Sequence, residues 1–137
     1  MATGFFMTFH GGEGSGKSTQ ARLLAQTLQD AGFDVLLTRE PGSTDPVCKR
    51  IREILLDIEH TGVLSPLTEL LLFLADRAQH LNHVVLPALN QGKIVLSDRH
   101  EADTFAYQCI ARGVCTEAEF LDLSIIVRRD SRPHFSV

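Results

Sequence analysis

The sequence predicts an α/β fold: a parallel sheet with helices packed on both faces. Short apolar runs of strand length alternate along the chain with segments whose apolar residues recur at helical spacing. A glycine-rich loop joins the first such run to the first helical segment. Each of the three main apolar runs ends in a polar, chemistry-bearing stretch, at the carboxyl ends of strands, where open α/β sheets hold ligands.

The elements follow in order. FFMTF (5–9) reads as a short buried strand. From Lys17 to about Ala31, the residues Ala21, Leu24, Ala25 and Leu28 form a helical stripe that Gly32 ends. FDVLLT (33–38) is a second strand, and EPGSTDP a loop. Ile51, Ile54, Leu55 and Ile58 mark one face of the next helix. Ser65-Pro66 then opens a long helix, a serine cap with proline at the first helical position. It carries Leu67, Leu70, Leu71, Leu74, Ala78, Leu81 and Val85 and closes near Gly92, with Pro87 kinking or ending its last turn. KIVLSD (93–98) is a third buried strand. A helix from about Ala102 to Arg112 stops at Gly113. Thr116 and Glu119 form a capping box for a helix through about Val127, and PHFSV begins a strand. No repeat or linker divides the chain, so residues 1–137 are read as one domain.

The totals narrow the function. The 137 residues are 44% hydrophobic and 22% charged, an ordinary globular balance. A net charge of −4 argues against nucleic acid as the main partner. No apolar run approaches the roughly 20 residues of a membrane span, and MATGFFMTFHGG lacks the basic start of a signal peptide. Cys48, Cys109 and Cys115 match no metal spacing and are read as packed thiols in a reducing cytoplasm. His80 and His83 are an i, i+3 pair without a third ligand nearby, and are expected to be exposed or at an edge.

The strongest motif is Gly11-x4-Gly16-Lys17-Ser18, the G-x-x-x-x-G-K-[ST] phosphate loop, set between strand and helix as that motif requires. Its glycines let backbone N–H groups turn toward an anion, and the helix begun at Lys17 points its positive end at bound phosphate. Gly11, Gly12, Glu13, Gly14, Ser15, Gly16, Lys17, Ser18 and Thr19 are therefore the candidate ATP-binding residues, with Lys17 reaching the β- and γ-phosphates. Ser18 and Asp98 are candidate Mg²⁺ ligands. A strand-end aspartate is by itself usually a helix cap; the phosphate loop makes the metal role the better reading. Lys17, Asp98 and Arg99 are the candidate catalytic set.

GGEGSGKST, TREPGS, SPLTELLLFLADRAQH and SDRHEADTFAYQ occur in the order and spacing of thymidylate kinase, a nucleoside monophosphate kinase family. The resemblance implies a P-loop three-layer α/β/α fold and transfer of the ATP γ-phosphoryl group to dTMP, giving dTDP and ADP. It implies that Arg39 lies near the acceptor phosphate, with Glu40-Pro41 shaping the site and a cis bond before the proline. Phe73 resembles the ring that stacks on thymine, and Arg77 the donor to the base carbonyl. Arg99 resembles the grip on the dTMP phosphate, and Tyr107 the ring packed against the sugar. Thr104 and Gln108 lie near the base, and Glu13 contacts the sugar 3′-hydroxyl. The family usually dimerises through its helices, for which the apolar helix 66–86 is the candidate here.

Three residues depart from the family pattern. Ser43 stands for a second glycine, Cys109 for a glycine whose turn it would crowd, and Asp103 for a serine beside the acceptor site. An acid at 103 is expected to weaken binding of an anionic ligand. RRDSRPHFSV resembles the approach to the family's fourth strand, so the sheet is expected to be incomplete on its C-terminal side, without the family's arginine-rich lid and last strand. The phosphate loop holds no arginine either. Binding of nucleotide without turnover is therefore a second reading, and phosphoryl transfer to another nucleotide a third.

Overall fold

In the computed structural model, which describes residues 3–57 and 62–137, strands and helices alternate as expected. The four strands are β1 (Phe5–Phe9), β2 (Val35–Arg39), β3 (Ile94–Asp98) and β4 (Phe135–Ser136). They form one sheet in the order β2-β3-β1-β4, and every pairing is parallel. The helices are α1 (Lys17–Asp30), α2 (Pro46–Leu56), α3 (Pro66–His80), α4 (Leu86–Asn90), α5 (Glu101–Thr104) and α6 (Glu117–Arg128).

Alternation along the strands divides the core between two faces. Phe6 and Val95 point one way, onto Leu81, Val85 and Ala88. Phe9 and Leu96 point the other way, onto Ala21 and Ala25 of α1. A third cluster, made of Leu70, Leu74, Cys109 and Phe120, joins α3 to α6. The sheet thus lies between two helical layers, as the three-layer reading requires.

The caps are those read from sequence. Ser65 Oγ accepts from Thr68 N at 3.1 Å, and Thr116 and Glu119 close a capping box. Two elements differ. The helix begun at Pro66 does not run regularly toward Gly92; Leu81–Val85 widens into a π-helical turn before α4. Pro87 has no N–H for the carbonyl four residues back, and its ring crowds that position, which a wider turn accommodates. The helix read over 102–112 is likewise split into α5 and a π-helical turn, Phe105–Ala111. β2 starts two residues later than expected, at Val35. Leu67 and Leu71 are exposed, so the buried face of α3 is narrower than its leucine content suggests. Ile58 lies outside the described residues. No described helix is long and apolar enough to cross a membrane.

The register sets the site. Phe9, Asp98 and Arg39 are paired side by side across β1, β3 and β2, so the loops that follow these strands leave the sheet at one edge. Phe6→Ala, at a fully buried position, should lower unfolding free energy by about 3–5 kcal/mol in urea titrations. Leu23→Ala, at an exposed one on α1, should change it by less than about 0.5 kcal/mol.

Candidate functional site

The phosphate loop turns from β1 into α1 with positive φ at Gly11, Gly14 and Gly16. Gly16 is the N-cap of α1, and no side chain caps that helix. Its first-turn N–H groups thus lack a capping side chain, the condition for anion binding at a helix start. Ser18 Oγ donates to Asp98 Oδ2, while Asp98 Oδ1 is buried without a hydrogen-bond partner.

Beside this pair lies a cavity of about 390 Å³ into which Lys17, Arg39, Arg52 and Arg99 converge. Arg39 Nε donates to Gly42 O at 3.1 Å, and Arg52 Nη1 to Pro41 O at 2.8 Å. Both bonds fix the loop after β2. Gly42 has φ 81°, and a Cβ there would lie 2.3 Å from Arg52 Cδ, so the loop needs glycine at that point. Burial pulls the Arg52 guanidinium down from its ordinary pKa, as do the charges of Arg39 and Arg99. Arg52 was not legible as a site residue: it is one of several basic residues on α2, and only the fold turns it to this cavity.

Arg99 carries the turn after β3 in a left-handed conformation, φ 71°. Its N–H donates to Phe9 O at 3.0 Å, holding that turn against the end of β1. Its guanidinium lies 5.9 Å from the centre of the Tyr107 ring and 4.0 Å from Glu13 Oε1. Glu13 is exposed at the mouth shared by this cavity and a larger one.

The larger cavity, about 550 Å³, holds Phe73, Arg77, Thr104, Tyr107 and Gln108, and shares Glu13, Glu40, Pro41 and Arg99 with the first. Five candidates, Glu13, Glu40, Pro41, Phe73 and Arg99, therefore border both spaces. Gly11, Gly12, Ser15, Gly16 and Thr19 line neither; they build the loop beside them.

Glu40 is the buried centre of this wall, and the bond to Pro41 is cis. Its carboxylate accepts from Arg77 Nε at 2.9 Å, and contacts His80 Nδ1 at 2.9 Å and His100 Nδ1 at 3.3 Å. Burial would raise its pKa. The Arg77 guanidinium and the two imidazoles outweigh burial and hold the carboxyl well below its usual range. Arg77 Nη2 donates to Thr104 Oγ1 at 2.8 Å, leaving Nη1 buried and unpartnered. Gln108 Nε2 donates to Glu69 Oε1 at 3.0 Å, leaving Oε1 buried and unpartnered.

Several expectations need correction. His80 is fully buried rather than at an edge, and bridges Glu40 to Thr38 Oγ1 at 2.8 Å; only His83 is exposed. Asp103 lines the larger cavity, as its position beside the acceptor site implied, but it is also held by partners the sequence did not reveal. It contacts His10 Nδ1 at 2.7 Å and accepts from the backbone N–H of His100 at 3.2 Å and of Gly11 at 3.4 Å. Burial raises its pKa, but these partners lower it further, so the acid braces the phosphate loop. Cys109 sits in the widened Phe105–Ala111 turn and fills the helix cluster beside Leu70 and Phe120, and burial together with Cys115 pushes its thiol up to about 12. Ser43 Oγ accepts from Asp45 N at 3.3 Å, which steadies the loop before α2. All three cysteines are free. The part played by His80 and His100 was missed in the sequence, where His80 reads only as one of a pair with His83 and His100 stands only as the last letter of SDRH.

Comparison with known proteins agrees with these motifs. The sequence model of the family described as Thymidylate kinase matches residues 9–124. A curated thymidylate kinase of Pseudomonas fluorescens is 48% identical over 135 residues, covering 98% of this chain and 63% of that protein. One from Pelobacter propionicus is 51% identical over 114 residues, 83% of this chain and 51% of that protein. The crystal structure of thymidylate kinase from Ehrlichia chaffeensis superposes with a TM-score of 0.87 at 36% identity, covering 98% of this chain and 73% of that one. The chain thus spans roughly one half to two thirds of the length of these curated relatives.

The Glu40 cluster makes a pH prediction. Its native pKa is depressed, so its contribution is present above the unfolded carboxylate value, about 4.3, and is lost as pH falls through the native value. Asp76, raised by burial, works in the opposite sense. Glu40→Gln should lower stability at pH 7 by about 3 kcal/mol, because Arg77 stays buried without its counter-charge. It should also flatten the loss of stability below about pH 4.3, read by urea titrations at pH 7 and about pH 3 for both chains.

Proposed function

Because this chain belongs to the thymidylate kinase family, we propose that its two joined cavities form the site of a nucleoside monophosphate kinase that moves the ATP γ-phosphoryl group onto dTMP, giving dTDP and ADP. The observation that carries the reading is the juxtaposition of a four-cation cavity with a nucleoside-sized one. The second contains an aromatic ring, a buried free donor and a buried free acceptor, at Phe73, Arg77 and Gln108.

In this reading the phosphate loop and Lys17 hold the ATP phosphates, and Arg39, Arg52 and Arg99 hold the acceptor phosphate. Positive charge gathered on both sides of the transferred group stabilises the spread negative charge of the transition state. Phe73 stacks on the base, Arg77 Nη1 donates to a base carbonyl, Tyr107 packs on the sugar, and Glu13 accepts from its 3′-hydroxyl. The buried, unpartnered Asp98 Oδ1 and the Ser18 hydroxyl are hard oxygen donors that fit Mg²⁺. When bound there, the ion supplies further neutralisation of phosphate charge. Free, packed cysteines support a cytoplasmic setting. Exposed Leu67 and Leu71 on α3, with Ile125 and Ile126 on α6, support a homodimer.

The second reading, nucleotide binding without turnover by this stretch of chain, is favoured by the phosphate loop itself, where Glu13-Gly14-Ser15 offers no arginine to the transferred group.

A coupled assay with ATP, Mg²⁺ and dTMP, run beside calorimetric titration of dTMP, separates the two readings. Turnover is expected, and Lys17→Ala should reduce it by about 10³-fold. Phe73→Ala should weaken dTMP binding by about tenfold or more, the loss of one base–aromatic stack. dTMP binding without turnover would replace the first reading by the second. Preference for a purine monophosphate would overturn the base assignment. Light scattering at the assay concentration should give twice the chain mass.

A further inference from the structure

Gln108 is nine-tenths buried in the wall of the larger cavity, and its amide is not free to turn. Glu69, in the first turn of α3, takes the Gln108 Nε2 hydrogen on Oε1, and Arg112 Nη1 donates to its Oε2. An ionised carboxylate can only accept. The amide nitrogen must therefore face Glu69, and Oε1 must face away from it, buried and unpartnered. Arg77 is fixed by the same logic. Glu40 accepts from Nε and Thr104 from Nη2, so the guanidinium leaves one buried donor, Nη1.

We infer that Glu69 is a specificity-determining positioning residue: by locking the Gln108 amide with its oxygen toward the cavity, it restricts the site to pyrimidines whose ring N3 carries a hydrogen. This inference rests on the proposed base site and adds to it the group that sets its hydrogen-bond polarity. Thymine and uracil offer an N3–H donor and a carbonyl acceptor at C4, the complement of a fixed acceptor and a fixed donor. Cytosine offers the reverse at both places, a bare N3 and an exocyclic amine. Rotation of the Gln108 amide by half a turn would satisfy cytosine N3. That rotation would set Gln108 Oε1 against Glu69 Oε1 at the present 3.0 Å, two acceptors with no hydrogen between them. Glu69, itself in the wall of the cavity, thus acts through the Gln108 amide, by removing the one rearrangement that would admit the wrong base.

The test compares dUMP with dCMP, which differ only in this donor–acceptor pattern, by calorimetric titration of the 137-residue chain, with dTMP and dGMP alongside. The wild-type chain should prefer dUMP to dCMP by about 100-fold or more, since a site built to hydrogen-bond rejects the mismatched partner strongly. Glu69→Gln is isosteric but can donate or accept, and should reduce that ratio by about tenfold while changing dTMP affinity only a few-fold. Glu69→Ala should reduce it comparably. Arg77 keeps the remaining preference in both. In a Gln108→Ala chain, Glu69→Gln should move the ratio no further. An unchanged ratio in both Glu69 variants, or a further fall in the Gln108→Ala chain, overturns this inference and leaves the dTMP reading standing. Failure of the wild-type chain to prefer dTMP to dGMP overturns that reading, and this inference with it.

Discussion

A buried carboxylate has to be paired, and the way Glu40 is paired organises the rest of the site. Its donor comes from Arg77, one turn before the end of α3, and its two imidazole contacts come from His80 on the same helix and His100 after β3. Glu40 itself follows β2 directly, and its N–H bonds Asp98 O at 3.0 Å. One side chain therefore ties two strand ends to the helix that carries Phe73 and Arg77. Asp76 adds a parallel tie, accepting from Gly42 N at 2.9 Å. The loop to which Arg39 and Arg52 donate and the helix facing the larger cavity cannot shift independently while both ties are intact.

The sheet supplies the other half of that constraint. Pairing of Phe9, Asp98 and Arg39 across three strands brings the three following loops to one edge without long connections. Arg99 then turns immediately, in a left-handed conformation that L-residues disfavour. The turn is held by the Arg99 N–H to Phe9 O and by Ser97 Oγ donating to Arg99 O at 3.1 Å. Such a conformation persists where surrounding bonds fix it. Here it aims a guanidinium at the space between Glu13 and Tyr107.

What was legible in the sequence was whatever local pattern encodes. The phosphate loop, the Ser65 and Thr116 caps, and the strand–helix alternation depend on neighbours a few residues apart, and all of them are present. Long-range pairing was not legible. The tie from Asp103 to the phosphate loop was hidden because nothing nearby in sequence reveals His10, 93 residues away. His80 looked like a surface histidine because its partners, Thr38 and Glu40, lie 42 and 40 residues back. The two π-helical turns were missed for a related reason: periodicity averages over a helix and does not register one widened turn.

On the proposed reading, the two cavities divide the work of recognition by different physics. The phosphate side relies on four cations at the end of long side chains, whose attraction is strong, weakly directional and lowered by salt. Such a cluster favours any small polyanion and says little about which one. The base side presents almost no net charge. Arg77 is balanced by Glu40, and Glu69 by Arg112, so what remains unpartnered in the cavity wall is one guanidinium NH2 and one C=O. Both are buried, and either left unpaired would cost about 1–3 kcal/mol. That penalty falls only on a ligand of the wrong hydrogen-bond polarity. Discrimination thus comes from groups whose own charges have been cancelled by buried or half-buried partners, while affinity comes from groups whose charges have not. The ion pairs around the base cavity act less as stabilisers of the fold than as clamps on the orientation of two polar atoms.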